Sequence, residues 1–454
     1  MADSSTDTRQ RNVQSKNTDV SKEAKKSRPD KPVHHSNESL LSTESGYNNY
    51  RGLLNLCIVL LALSNGRVAL ENFLKYGILV DPLQWFRILI HDQFHWSFVA
   101  LFLCTNIFIL FSLLLEYAVS KNKISEVTTY WLHLVNLFSI LFFPAVIVYF
   151  CDTHPVGGSL ALGGFSTMFL KLVSYMIVNR WCREAREKKV SDVDSKVNGH
   201  VEPSHIVYPG NLNIKDIYYF IFVPTLCYEL NFPRSPRIRK RFLIKRFLEM
   251  LFISQLMFGL IQQWMVPTIR NSTIPFKEMN YSRLLERLLK LAVPNHLIWL
   301  IGFYWFFHSC LNFMAELARF ADREFYRDWW NSETVNYFWQ NWNIPVHRWC
   351  LRHLYMPLTQ MGYNRSSATV IVFLISAFFH EYLVSIPLKM FRLWAFIGMA
   401  AQVPFARFVR RFLAGKFSNM AVWLSLIIGQ PLAILMYYHD YYIIHYENSN
   451  EISH

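Results

Sequence analysis

Charge is scarce in this chain. Only 17% of its 454 residues are Asp, Glu, Lys or Arg, against about a quarter in an ordinary globular domain. What replaces charge is gathered into long apolar runs such as Trp96 to Tyr117 and Ser418 to Tyr438. A run of about 20 apolar residues is what a helix needs to cross a bilayer. Catalytic signatures are also missing. There is no GxSxG nucleophile elbow, no GxxxxGK[ST] phosphate loop, no HExxH zinc motif and no His followed five positions on by Asp. The seven cysteines stand far apart, without a CxxC, so neither a disulfide framework nor a zinc site is indicated. Residues 1–46 contain no aromatic residue and no apolar core, which excludes a cleavable signal peptide and reads as a disordered tail.

What is present points to an all-α, polytopic membrane protein. The net charge of +14 does not point to nucleic acid, because the basic residues cluster beside the apolar runs in the positive-inside pattern. The expected spans are about nine: 52–70, 96–118, 131–150, 160–178, 247–266, 287–311, 366–387, 390–412 and 419–438. A shorter apolar stretch, Asp216 to Phe232, holds Pro224 and is followed by Pro233, and is expected to lie in the interface or re-enter. Residues 188–206 are polar and read as a linker. One membrane-embedded domain, 47–446, is expected between a cytosolic tail, 1–46, and a lumenal one, 447–454. The clusters Arg180 to Lys189, Arg234 to Arg241, the loop 320–365 and Arg407 to Lys416 are expected in the cytosol. The segment Asn271 to Ser282, with two N-x-S/T sequons, is expected in the lumen.

Chemistry is sought first at histidine. His133, His296, His308 and His380 fall in or near predicted spans, where an ionisable group is costly and faces a cavity or a partner. Each is either a functional base or a hydrogen-bonded structural residue. His380 differs in having Glu381 beside it. A second feature is the loop Phe325-Tyr326-Arg327-Asp328-Trp329-Trp330-Asn331, followed by a stretch holding Gln340, Trp342, Asn343 and His347. Five Trp between 329 and 349 suit an interfacial belt or a ligand wall. The polar residues between them exceed what a belt requires. A third feature is Gln430, next to Pro431 in the last apolar run, which marks a helix kink or a buried polar contact.

The loop Phe325 to Asn331 resembles the signature of the sterol and diacylglycerol branch of the membrane-bound O-acyltransferases. Ser376-Ala-Phe-Phe-His380-Glu-Tyr is similar to that family's histidine segment. Further segments, Ser45 to Gly52, Leu226 to Arg241, Gln262 to Pro267 and Leu291 to His296, look like the diacylglycerol side of the branch. The resemblance implies acyl transfer from acyl-CoA to diacylglycerol, giving triacylglycerol and CoA. It implies His380 as the catalytic base with Glu381 beside it, and Asn343 and Gln430 at the reaction centre with His347 near. Gln340, Trp342, Tyr355 and Ser376 would belong to the acyl-CoA tunnel, Arg365 would meet a phosphate, and Trp330 and Met399 would shape the cavity. Neither cofactor nor metal is implied, since acyl-CoA is a substrate. Membrane lipid and a second or fourth copy of the chain, as homodimer or homotetramer, are the expected partners, in the endoplasmic reticulum membrane. The competing readings are a sterol or long-chain alcohol O-acyltransferase and, in another class, a transporter or proton channel using His380 and Glu381 as a relay.

Nine crossings from a cytosolic N-terminus put the C-terminus in the lumen. Protease added to sealed microsomes should therefore spare a C-terminal tag. Digestion of the tag before detergent is added would invert the scheme.

Overall fold

The computed structural model describes residues 51–81, 83, 95–151, 154–192, 206–271, 281–413 and 415–442. The expected tails 1–46 and 447–454, the second sequon's Asn280 and most of the expected linker lie outside these. By its contacts the chain divides into two compact units, 1–71 and 72–454. The first contributes residues 51–71 of the opening helix, α1 (Arg51–Tyr76). Everything below concerns the second unit.

The second unit is helical. Among the described residues, β pairing is limited to a bridge between Arg234 and Phe320. Its elements are α2 (His95–Ser120), α3 (Glu126–Phe150), α4 (Pro155–Asp192), α5 (Ile214–Phe222), α6 (Lys240–Leu260), α7 (Tyr281–Phe303), α8 (Val335–Asn341), α9 (Ile344–Cys350), α10 (Arg365–Leu388), α11 (Trp394–Ala400), α12 (Gln402–Phe412) and α13 (Gly415–Tyr442). Helices α6, α7 and α9 each continue through a π-helical turn into a further short helix, ending at Arg270, Leu317 and Gln360. Six of the described helices are long and apolar enough to cross a membrane: those within 101–120, 126–150, 155–187, 285–317, 365–388 and 415–441. The chain is an all-α, multi-pass membrane protein.

Helices α2, α3 and α4 pack on one another through Leu101, Leu137, Ile140, Phe165 and Leu172. Helix α10 docks on α3 and α4 through Tyr382 and Ile386 against Val148 and Leu162. The Tyr382 hydroxyl donates to the Leu141 carbonyl at 2.7 Å. Gly158 lets these helices approach closely. A Cβ there would lie 2.9 Å from Val148 and 3.1 Å from Pro387.

Three expectations about the helices change. The expected span 160–178 lies inside a 38-residue helix, which runs through the basic cluster at 180–189 and five residues into the expected linker. Arg183 in that cluster is buried, bonded to Glu116 of α2 and to Glu126 of α3. Internal pairing, not a loop in water, satisfies that charge. The expected span 390–412 starts at Trp394 and bends at Ala401, so that α11 and α12 are separate short helices. Pro404 lacks the N–H that would bond the Ala400 carbonyl, which is a common cause of such a break. The segment 216–232 does more than lie at an interface. Ile217, Phe220, Val223 and Tyr228 are fully buried in a protein core with Ile109, Tyr175, Phe307 and Phe325.

Burying α5 raises the question of its C-terminal carbonyls, which a helix cannot satisfy itself. Lys171 of α4 answers it. Its ammonium donates to the carbonyls of Phe220, Ile221 and Val223 at 2.9, 2.8 and 2.8 Å. A cation at a helix C-terminus also meets the negative end of the helix dipole. Lys171→Met removes these donors while keeping the stem. Each buried acceptor left without a partner costs about 1–3 kcal/mol, so the thermal unfolding midpoint of the purified protein should fall well below that of the wild type. An unchanged midpoint would show that the cap does not support the fold.

Candidate active site

His380 lies on α10 about 22 Å from Arg365, at about 1.5 Å of rise per residue. Its Nδ1 is 2.8 Å from the carbonyl of Ser376, one turn earlier. A carbonyl only accepts, so Nδ1 carries a hydrogen, and in the neutral ring Nε2 is then the nitrogen with the lone pair. The imidazole is accessible rather than packed away. Such a ring, held in one tautomer with a bare nitrogen, is suited to take a proton.

Glu381 points elsewhere, because adjacent residues on an α-helix diverge by about 100°. Its carboxylate is buried and accepts from four donors: the Ser385 hydroxyl, the amides of Leu393 at 2.9 Å and Phe396 at 3.0 Å, and the Tyr437 hydroxyl at 2.8 Å. These come from α10, the start of α11 and α13. The carboxylate beside His380 in sequence is thus an anchor that joins three segments.

The α10 face bearing His380 leads to a cationic cleft. Ser366, Thr369, Phe373, Ser376 and His380 recur at alternating spacings of three and four, which keeps them on one face. The first three line a cavity of about 310 Å³, with Arg365, Asn336 of α8, and Arg407 and Arg410 of α12. Arg407 donates to the Ser366 hydroxyl at 3.2 Å. With three guanidinium groups and no carboxylate among its lining residues, the cleft suits an anionic group. Arg365 was expected here. Arg407 and Arg410 were read only as marks of a cytosolic turn, and the bend at Ala401 that separates their helix from α11 was not foreseen.

The Trp-rich loop builds the wall beside this stripe. Trp339 of α8 meets Phe373 edge-on at 5.9 Å. Phe325 and Trp329 are buried, and the Tyr326 hydroxyl is 2.9 Å from Nδ1 of His308. Asp328 accepts from the Tyr337 hydroxyl at 2.7 Å and from Asn331 at 3.3 Å. The backbone of the loop clasps the next segment, with the Arg327 amide on the Asn341 carbonyl at 2.8 Å and the Ile344 amide on the Phe325 carbonyl at 3.0 Å. Asn343 lies inside that clasp. Its Oδ1 accepts from the Val346 amide at 3.2 Å as the N-cap of α9, which leaves the amide –NH₂ to donate outward.

The remaining expected residues are spread over several walls. Trp342 stacks at 3° on Phe338. His347 is half-buried, and burial with the nearby Arg327 and Arg348 holds its imidazole below the ordinary histidine range, hence neutral at pH 7. Gln340 is exposed and Tyr355 half-buried in a π-helical turn. Met399 is buried on α11, whereas the Trp330 ring is largely exposed. Gln430 of α13 is bonded by Asn295 of α7 at 3.3 Å, a partner that sequence reasoning did not name. No group of His, Cys, Asp and Glu suited to a metal occurs among the described residues.

Comparison with known proteins sets this architecture in a family. Residues 85–439 match the profile of MBOAT, the membrane-bound O-acyltransferase family. The chain belongs to that family. Within it, the chain is similar to Diacylglycerol O-acyltransferase 1 of Homo sapiens, at 59% identity over 91% of this chain and 85% of that one. It is also similar to Diacylglycerol O-acyltransferase 1C of Glycine max, at 38% identity over 91% of this chain and 80% of that one. Diacylglycerol O-acyltransferase 1 of Dictyostelium discoideum is 36% identical over 89% of this chain and 64% of that one. As a membrane-bound O-acyltransferase, the chain carries its histidine and its Trp-rich loop on separate elements that meet through Trp339 and Phe373.

The two readings of Glu381 separate by experiment. Glu381→Gln puts an amide –NH₂ against donors, so the unfolding midpoint should drop. The pH profile of the remaining activity should keep its wild-type midpoint. A displaced pH profile with unchanged stability would restore Glu381 as the electrostatic partner of His380.

Proposed function

We propose that this chain is an acyl-CoA:diacylglycerol O-acyltransferase, joining a fatty acyl group to the free hydroxyl of 1,2-diacylglycerol with His380 as general base. The observation that carries the mechanism is the His380–Ser376 bond, which in the neutral ring turns the lone pair to Nε2, on the stripe descending from the arginine cleft. The similarity to diacylglycerol O-acyltransferases across nine-tenths of the chain supports the acceptor.

The cationic cleft receives the phosphates of CoA at Arg365, Arg407 and Arg410. CoA keeps its phosphates an extended arm away from its thioester, and the stripe from Ser366 to His380 spans about 21 Å. Diacylglycerol is apolar and enters from the bilayer. Nε2 takes its hydroxyl proton as the oxygen attacks the thioester carbonyl. The carbonyl oxygen becomes an oxyanion, for which the –NH₂ of Asn343 is the proposed donor. Collapse breaks the C–S bond, and the CoA thiolate leaves, recovering the proton from the imidazolium. General-base help of this kind contributes about 10²–10⁴-fold, and a dry interior limits hydrolysis of the thioester. The enzyme would work in the endoplasmic reticulum membrane as a homo-oligomer.

Radiolabelled acyl-CoA offered to the purified protein with diacylglycerol, a sterol or a long-chain alcohol tests the assignment. Label should appear in triacylglycerol with wild type and vanish with His380→Ala at unchanged fold. Preferential esterification of the sterol or the alcohol would replace the proposed acceptor.

The role of Asn343 yields a sharper test. Asp is as good an N-cap as Asn, so Asn343→Asp keeps α9 capped while it removes the donor and, when ionised, sets a negative charge against the oxyanion. kcat should fall about 10²–10³-fold with little change in the KM for acyl-CoA, as when an oxyanion donor is removed. Asn343→Ala loses cap and donor together. An Asp variant that retains kcat would assign Asn343 to capping alone.

A further inference from the structure

Six basic residues fall between Arg234 and Lys245, with no acidic residue among them. The carboxylates nearby are already engaged. Glu316 pairs with Arg239 at 2.8 Å and Arg323 at 2.6 Å, and Glu249 pairs with Arg246 at 2.8 Å. Arg241 and Lys245 are exposed and, among the described residues, form no ion pair. They line an open groove of about 440 Å³ with Ile244, Leu248 and Glu249 on one face of α6. Down the helix the charge ends and exposed apolar surface continues. Ile244 and Leu248 are 59% and 58% exposed, and Leu251 and Phe252 follow at 52% and 70%.

A groove that is cationic at its mouth and apolar along its floor matches a lipid whose headgroup is anionic. A free phosphate would use the mouth and leave the floor uncovered. A neutral lipid would use the floor and leave two charges unpaired. The geometry points to a binding site on α6 for one anionic phospholipid, its phosphate between Arg241 and Lys245 and its acyl chain along Ile244, Leu248 and Leu251. This site is separate from the arginine cleft of α10 and α12 and does not depend on the proposed reaction.

The test uses the full-length protein in micelles titrated with dioleoylphosphatidic acid or dioleoylphosphatidylcholine, with retained lipid counted by native mass spectrometry. The wild type should retain one phosphatidic acid in excess over phosphatidylcholine. In Arg241→Gln/Lys245→Gln that lipid should bind about thirtyfold more weakly, since a basic residue near a lipid surface contributes about a factor of five. Ile244→Asn, which spares both charges, should weaken retention too, and inorganic phosphate should not displace the lipid. Equal retention by the double variant would overturn the site, as would displacement by phosphate alone. So would a double variant that changes the oligomer size but not the lipid count, because the groove would then belong to a second copy of the chain.

Discussion

The Glu381 carboxylate is the constraint on which the arrangement around His380 depends. A carboxylate buried in an apolar bundle is tolerable only when its oxygens are fully engaged. Here the engagement draws donors from α10, the start of α11 and α13. The rotation of α10 is fixed as a result, and with it the direction of His380 one residue away. The sequence neighbours divide the work: one is held so that the other can stay free. Bonding of His380 to its own helix at Ser376 completes the arrangement.

A similar division appears in the Trp-rich loop. Its residues look like ligand contacts because they alternate aromatic and polar. Most of them bond to one another or to the core, through Tyr326 to His308, Asp328 to Tyr337 and the backbone clasp over Asn341 and Ile344. The loop is a mould for the short segment that holds Asn343. This makes sense of its length, since a segment held to within about half an ångström needs support that a bare loop does not provide.

Much of the fold was legible because apolar runs of span length are an almost direct readout of crossing helices. α2, α3, α10 and α13 lie within a few residues of their expected bounds. What was not legible was pairing over distance. Nothing local says that Arg183 is buried against Glu116 and Glu126, so its cluster read as a solvated turn and the helix was cut short. The same holds for Lys171, which looks anomalous in an apolar run until α5 arrives to need it. At the candidate site, the family resemblance pointed to His380 and Asn343. The three-four stripe on α10 was visible in principle. The cleft was not, because Arg407 and Arg410 reach it only through a helix that begins anew after the bend at Ala401. The contacts of Glu381 were not legible either, because adjacency in sequence is a poor guide to adjacency around a helix.

The Lys171 cap also bears on how the chain is made. Helix α5 cannot be buried before its last carbonyls have a donor, and that donor is on α4, which leaves the ribosome first. The partners are about fifty residues apart, so the cap can close as soon as α5 emerges, before His380 or Asn343 has been synthesised. Trp349 later donates to the carbonyl of Leu170, the residue next to Lys171, at 2.8 Å. The segment that carries Asn343 is thus tied to a part of the bundle that could already be in place when it is translated.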